Sequence, residues 1–261
     1  MSREIDGLNL RTVAEEPALT NASQELIDRV WPAFIVESRW PKGHPMPWDW
    51  MGIYDRWPTF QFGLFDPDDG RLVIAGNMLA LAWDGRAEEL PDTGWNWAMW
   101  QGEQDWVAGR AAKTACALSI TVDPERRGRN LSRVAVRAMY LLAREAGLTR
   151  LLAPVRPSLK SRYPLIPMTD YCRWTNQAGL PFDPWLRVHV RLGARIVKVC
   201  DRSQPLAAPV ADWERWLDLP MPVSGEYVAA GLMTPLRVDR DADEGICIEP
   251  NVWVEHSQLD A

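Results

Sequence analysis

Residues 114–147 read TACALSITVDPERRGRNLSRVAVRAMYLLAREAG, and the fold turns on them. The first nine, 114–122, are an almost continuous apolar run, the pattern of a strand covered on both faces. Asp123-Pro124 ends it, because proline has no N–H to offer a ladder. Leu131, Val134, Ala135, Ala138, Leu141 and Leu142 then repeat at helical spacing, and Gly147 supplies a stop. Between strand and helix, Arg126, Arg127 and Arg129 crowd around Gly128. A strand, a tight loop and a helix N-terminus together make an anion site. The first helical amides lack partners, and the macrodipole adds partial positive charge. Gly128 lets an anion approach the backbone, Asn130 tolerates left-handed geometry, and the arginines offer charged hydrogen bonds. The expectation is a phosphate or pyrophosphate cradle. No GxxxxGK[ST] is present, and no GxGxxG follows a strand, so a nucleotide P-loop and a dinucleotide fold are both unsupported.

Working outward, RLLAPV (150–155) reads as a second buried strand, and DPWLRVHVRLGARIVKV (183–199) as a short helix and then a strand. Upstream, LNLRTVA (8–14) could form a first strand. Asn21 with Gln24 resembles a capping box ahead of a stripe of Leu26, Ile27, Val30, Trp31, Phe34 and Ile35. Pro32 should kink that helix. FQFGLFDPDDGRLVIAGNMLALAW (60–83) is a hairpin around Asp66–Gly70. Residues 40–58 are rich in Pro and Trp and read as an irregular segment or lid. Residues 87–110 insert more tryptophan. The stretch 210–219 is a helix candidate, and 245–256 a strand candidate. With no repeat, low-complexity tract or clear linker, one domain over 1–261 is expected.

The 261 residues carry a net charge of −6, which argues against a nucleic-acid partner. Cys116, Cys172, Cys200 and Cys247 form no CxxC pair, so no metal site is expected and reduced thiols are. No apolar run reaches membrane-spanning length, and the first residues lack a signal-like apolar core. A cytoplasmic protein with no membrane partner follows, and a homodimer is left open. Fifteen tryptophans are enough to fill a core and line a pocket as well.

LSITVDPERRGRNLS resembles motif A of the GCN5-related N-acetyltransferases: an apolar strand, then [QR]-x-x-G-x-[GA] opening a helix. Arg127 matches the first position. Asn130 stands where the central glycine usually lies, and Ser132 where glycine or alanine does. DPWLRVHVRLGARIVKV is similar to motif B, with Leu192-Gly193-Ala194 at the end of its helix. The resemblance is best over 114–200. It sets 40–58, 87–110 and 156–183 apart as insertions and 201–261 as a C-terminal extension. It implies an α/β (α+β) fold with a mixed, mostly antiparallel central sheet flanked by helices.

The resemblance also implies an acyl-CoA-dependent N-acyltransferase, with acetyl-CoA or another acyl-CoA as cofactor and a small-molecule amine as acceptor. Two other uses of the scaffold stay open: a CoA-binding or regulatory protein without turnover, and an O-acyltransferase or decarboxylase. Ile120, Thr121 and Val122 would hold thioester and pantetheine through backbone amides. Arg127, Gly128, Arg129, Asn130, Leu131 and Ser132 would hold pyrophosphate. His189 stands where the family often has a tyrosine that protonates the leaving thiolate, and is the catalytic candidate. Trp50 and Tyr54 in one insertion, and Trp95 and Trp97 in the next, are candidates for the acceptor site. An extended backbone would put Trp95 and Trp97 on one face. Tyr163 follows the second buried strand with Arg156, Lys160 and Arg162, which could meet a phosphate or a carboxylate. His44 could face the acceptor. Asp49, Asp55, Glu103 and Asp105 are base candidates.

Overall fold

The computed structural model describes residues 3–126, 128 and 130–257, so Arg127 and Arg129 lie outside the described residues. The chain opens with a hairpin of β1 (Arg3–Ile5) and β2 (Leu8–Thr12). Its two-residue turn needs positive φ twice, which Asp6 (48°) and Gly7 (82°) provide. Helix α1 (Leu19–Val30) begins before Asn21, without a side-chain cap. Pro32 breaks the helix instead of kinking it. Trp31 is already extended at ψ 146°, as a residue before proline prefers, and α2 (Ala33–Val36) starts afresh. The Pro/Trp-rich stretch 40–58 is largely irregular and contains α3 (Gly52–Arg56).

Strands β3 (Gln61–Phe65) and β4 (Leu72–Leu81) form the expected hairpin. The tryptophan-rich insertion departs from the sequence reading. It is a helix, α4 (Gly94–Val107), with no extended face. Its buried face carries Asn96, Ala98, Met99, Gly102 and Asp105, a mixture of polar, small and apolar residues, so no apolar stripe marks it in the sequence. Then come β5 (Thr114–Val122), α5 (Leu131–Glu145), β6 (Leu151–Val155), α6 (Met168–Tyr171), α7 (Pro184–Arg191), β7 (Arg195–Ala208) and α8 (Val210–Leu217). Strands β8 (Gly225–Tyr227), β9 (Leu236–Asp239) and β10 (Glu244–His256) complete the order.

The strands run β1-β2-β3-β4-β5-β6-β10-β9-β8 in one sheet, with β7 along the other edge of β10. Every pairing is antiparallel except β5 with β6, so the fold is mixed and mostly antiparallel. Residues beyond 200 are not an appendage. Val252–His256 of β10 pair with Val155–Leu151, while Glu244–Ile246 pair with β9 on the same edge. Helix α5 drops Val134, Ala135, Ala138, Met139 and Leu142 into a core with Phe62, Ile74 and Met78. Each large apolar side chain so buried contributes roughly 1.5–3 kcal/mol. Ala135 and Ala138 are fully buried, and a larger side chain there would overpack the core at a cost of about 1–3 kcal/mol.

The feature that positions the site is a fork. Strands β5 and β6 pair only at Ala115↔Leu151 and Cys116↔Leu152, and then part.

Candidate active site

A cleft of about 1010 Å³ fills the fork. Ala117–Val122 of β5 line one side and Ala153–Arg156, from β6 onward, the other. The pairing of β5 with β4 slips between Asn77 and Met78, leaving Leu118 as an extra residue, a bulge beside the fork. The Leu118 carbonyl accepts the indole N–H of Trp95 at 3.0 Å, so it faces away from β4. Asp123 N–H donates to Val73, toward β4. Backbone groups alternate along a strand, so the N–H groups of Ile120 and Val122 face the cleft. Thr121, fully buried, accepts the indole N–H of Trp31 at 2.8 Å, which pins the end of α1 over the cleft.

Gly128, Asn130, Leu131 and Ser132 close the deep end. Gly128 has φ +104°, and a Cβ there would meet nothing within 4 Å, so the space beside it is open. Asn130 takes the left-handed conformation (φ 54°, ψ 27°) that the sequence called for. The first intrahelical bonds are donated by Arg133 and Val134 to Asn130. The Leu131 and Ser132 amides precede them, at the positive end of a fifteen-residue helix. Arg126 does not serve this end. Its guanidinium pairs with Asp66 at 3.1 Å and with Asp69, both in the β3–β4 turn. Buried Asp123 lies 3.3 Å from Arg29 and accepts Glu125 N–H, which anchors the loop's stem.

His189 borders the cleft from α7 and is 2% exposed. Asp183 starts that helix by accepting the N–H groups of Trp185 and Leu186. The Asp183 carboxylate also accepts Leu159 N–H and the Tyr171 hydroxyl, which ties α7 to the loop after β6. His189 Nδ1 lies 2.9 Å from Nε2 of His256, while His189 Nε2 is buried without a partner. Trp185 packs edge-on at 4.4 Å. The Tyr140 hydroxyl meets Nδ1 of His256. Burial and the neighbouring His256 hold His189 well below the usual histidine pKa, and burial brings His256 to about 4. Both rings are therefore neutral near pH 7. Neither Tyr140 nor His256 carried a sequence signal, because the three residues meet only through the tertiary fold.

Of the acceptor candidates, Trp50 and Trp95 line the cleft together with Trp40 and Trp48, whereas Tyr54, Trp97 and Tyr163 do not. Tyr54 is buried and accepts Asn77. Trp97 leaves Trp95 because successive helical residues turn by about 100°, and it packs edge-on against Trp253. Tyr163 sits among Tyr171, Trp174 and Phe182. His44 stacks on Trp40 at 5.4 Å, one residue back from the cleft wall. The base candidates lie elsewhere: Glu103 pairs with Arg56, Asp105 pairs with Arg110, and Asp49 and Asp55 are not among the lining residues. Among the described residues no Asp or Glu lines the cleft. Arg156 does line it but is held by Glu249, and Lys160 is spent on the carbonyls of Tyr163 and Met233. Arg39, Gln204 and Asn251 also line the cleft, and the sequence reading missed them.

A forked pair of parallel strands, with a helix N-terminus at its closed end, defines a class by its architecture, and the chain has a GNAT-like fold. It is 25% identical over 96% of its length to the arginine N-acetyltransferase avaD of Aspergillus versicolor, covering 94% of that protein. The fold matches the loading GNATL domain of CurA from Lyngbya majuscula with a TM-score of 0.56, 18% identity, and 97% and 98% of the two chains covered. It matches the GphF GNAT-like decarboxylase, solved with isobutyryl-CoA, with a TM-score of 0.57, 18% identity, and 96% and 99% covered. No family model matches the chain.

Proposed function

We propose that the protein transfers an acyl group, acetyl in the simplest case, from acyl-CoA to the nitrogen of a small-molecule amine. The observation that carries this reading is the fork between β5 and β6, lined by amides and ending at the N-terminus of α5. The cleft fits the cofactor: its volume, the open space at Gly128 and the unpartnered Nε2 of His189 suit a long phosphate-ended arm and a polar reacting group. Bound acyl-CoA supplies the acyl group as an activated thioester. The Leu131 and Ser132 amides, without intrahelical partners, would hold its phosphates at the helix end. The Ile120 and Val122 amides hold the arm along β5. His189 Nε2 faces the region where charge gathers on the carbonyl oxygen during attack. Trp31 and Trp185 keep water from the bond that breaks.

The acceptor wall is aromatic. Trp48, Trp50 and Trp95 give their indole N–H groups to Asn96, Gln24 and Leu118. What they offer a ligand is ring faces. With no lining carboxylate, a cationic acceptor would be held by cation–π contact. The exposed Arg39 stands at the same end for a carboxylate. The arginine N-acetyltransferase relative supports an acceptor with an amine and a delocalised cation. The amine nitrogen would attack as the free base and form the C–N bond, the C–S bond would break, and CoA would leave as a thiolate that takes from water the proton the amine gives up. We place the reaction in the cytoplasm, where the free cysteines stay reduced.

Release of the CoA thiol, followed with acetyl-CoA and a panel of arginine, decarboxylated arginine and an uncharged alkylamine, tests the reading. Acceptor-dependent release, greatest with the guanidinium compounds, is expected. Release only from a carboxylated acyl-CoA, without any amine, would replace this reading with decarboxylation.

A further inference from the structure

Three buried side chains from three elements form a line that ends at the cleft: Tyr140 of α5, His256 of β10 and His189 of α7. Two proton arrangements satisfy such a line. In one, the Tyr140 hydroxyl donates to His256 Nδ1, His256 Nε2–H donates to His189 Nδ1, and His189 presents Nε2–H to the cleft. In the other, Tyr140 donates to the Leu192 carbonyl, 3.3 Å away, every imidazole proton moves to Nδ1, and His189 presents a bare nitrogen. The first makes His189 a hydrogen-bond donor and the second makes it a base.

Donor strength decides between them. A phenol, with a pKa near 10, is a far better donor than a neutral imidazole N–H, and a bare imidazole nitrogen is a better acceptor than a phenol oxygen. His256 is also the nearer of Tyr140's two partners. We propose that Tyr140 and His256 are positioning residues that fix His189 as its Nε2–H tautomer, so that it donates a hydrogen bond into the cleft and does not accept a proton there. This rests on the acyl-transfer reading for its purpose and on the geometry alone for its existence. The donor would meet the thioester carbonyl oxygen, where a neutral imidazole N–H stabilises charge without giving up its proton. No carboxylate lies in the line, and burial outweighs the Leu192 carbonyl, which alone favours an imidazolium at His256.

The test is nitrogen-15 NMR of histidine-labelled protein, with steady-state kinetics on the same samples. Wild type should show a protonated, pyrrole-type Nε2 at His189. Tyr140→Phe keeps the volume but removes the donor. It should turn the line around, giving a bare, pyridine-type Nε2, and lower kcat roughly tenfold or more while KM for acetyl-CoA stays within about twofold. His256→Gln, which keeps an amide N–H, should retain more activity than His256→Leu. Melting temperatures would show that each variant folds. A bare Nε2 in wild type, or a protonated Nε2 with unchanged kcat in Tyr140→Phe, would overturn the proposal. A wild type that shows the tautomer and its reversal but no acyl transfer would support the relay and sink the acyl-transfer reading alone.

Discussion

The two walls of the cleft treat their polar atoms in opposite ways. On the tryptophan wall, Trp48, Trp50 and Trp95 give their N–H groups to partners inside the protein. Elsewhere around the cleft, the Ile120 and Val122 amides face it, the opening amides of α5 have no intrahelical partners, and His189 Nε2 is buried without a partner. A wall with satisfied hydrogen bonds presents only shape and ring faces, which suits choosing among acceptors. A wall with open donors presents oriented dipoles, which suits a reaction that gathers negative charge. On the proposed function, recognition falls to the first set of groups and chemistry to the second.

Variants that touch one wall should leave the signature of the other intact. His189→Ala should have the largest effect, lowering kcat by about 10²–10³ as loss of one preorganised donor does, with acceptor KM little changed. A rise in acceptor KM without a fall in kcat would erase the division. Acid should act next most strongly. Both His189 and His256 are held below their unfolded pKa near 6.5, His256 at about 4. Their contribution to stability is complete above about pH 6.5 and is lost as pH falls toward 4, because only the unfolded chain readily takes up the two protons. The slope there approaches 3 kcal/mol per pH unit at most, and denaturant titrations at several pH values would reveal it. His256→Gln should flatten it.

On the other wall, Trp50→Leu should raise KM for a cationic acceptor about tenfold, the size of a desolvated cation–π contact, and leave acetyl-CoA affinity alone. An equal loss for an uncharged amine would mean that the ring fills space without recognising charge. The smallest effect belongs to Arg126→Ala. Paired with Asp66 and Asp69, it should leave the calorimetric Kd for acetyl-CoA within about twofold of wild type. A large loss would return Arg126 to the phosphate site.

The centre of the fold was legible because its signals are local. An apolar run, a proline and a helical stripe mark β5 and α5, and Asn130 declared its left-handed turn by residue type. Helix α4 was not legible, since a buried face that includes Asn96, Gly102 and Asp105 shows no apolar stripe, and its tryptophans suggested an extended face. The line from Tyr140 to His189 was hidden for a different reason. His256 lies 67 positions from one partner and 116 from the other, and no pattern in the chain joins them. Residue type suggested a phosphate role for Arg126, and only the acidic hairpin turn beside it shows where its charge goes.

Strand β10 has a consequence for how the molecule is made. Residues 244–256 fill the middle of the sheet, yet they leave the ribosome after β1 to β9. Until they arrive, β6 has only two residue pairs with β5 to hold it, and β7 has no neighbour in the sheet. The nascent chain therefore carries an unpaired edge on β6, and then β7 as well, until β10 is made, a state that invites pairing with other chains. His256 is the last residue of that strand, so the candidate active site and the continuous sheet are completed by the same event, the arrival of β10.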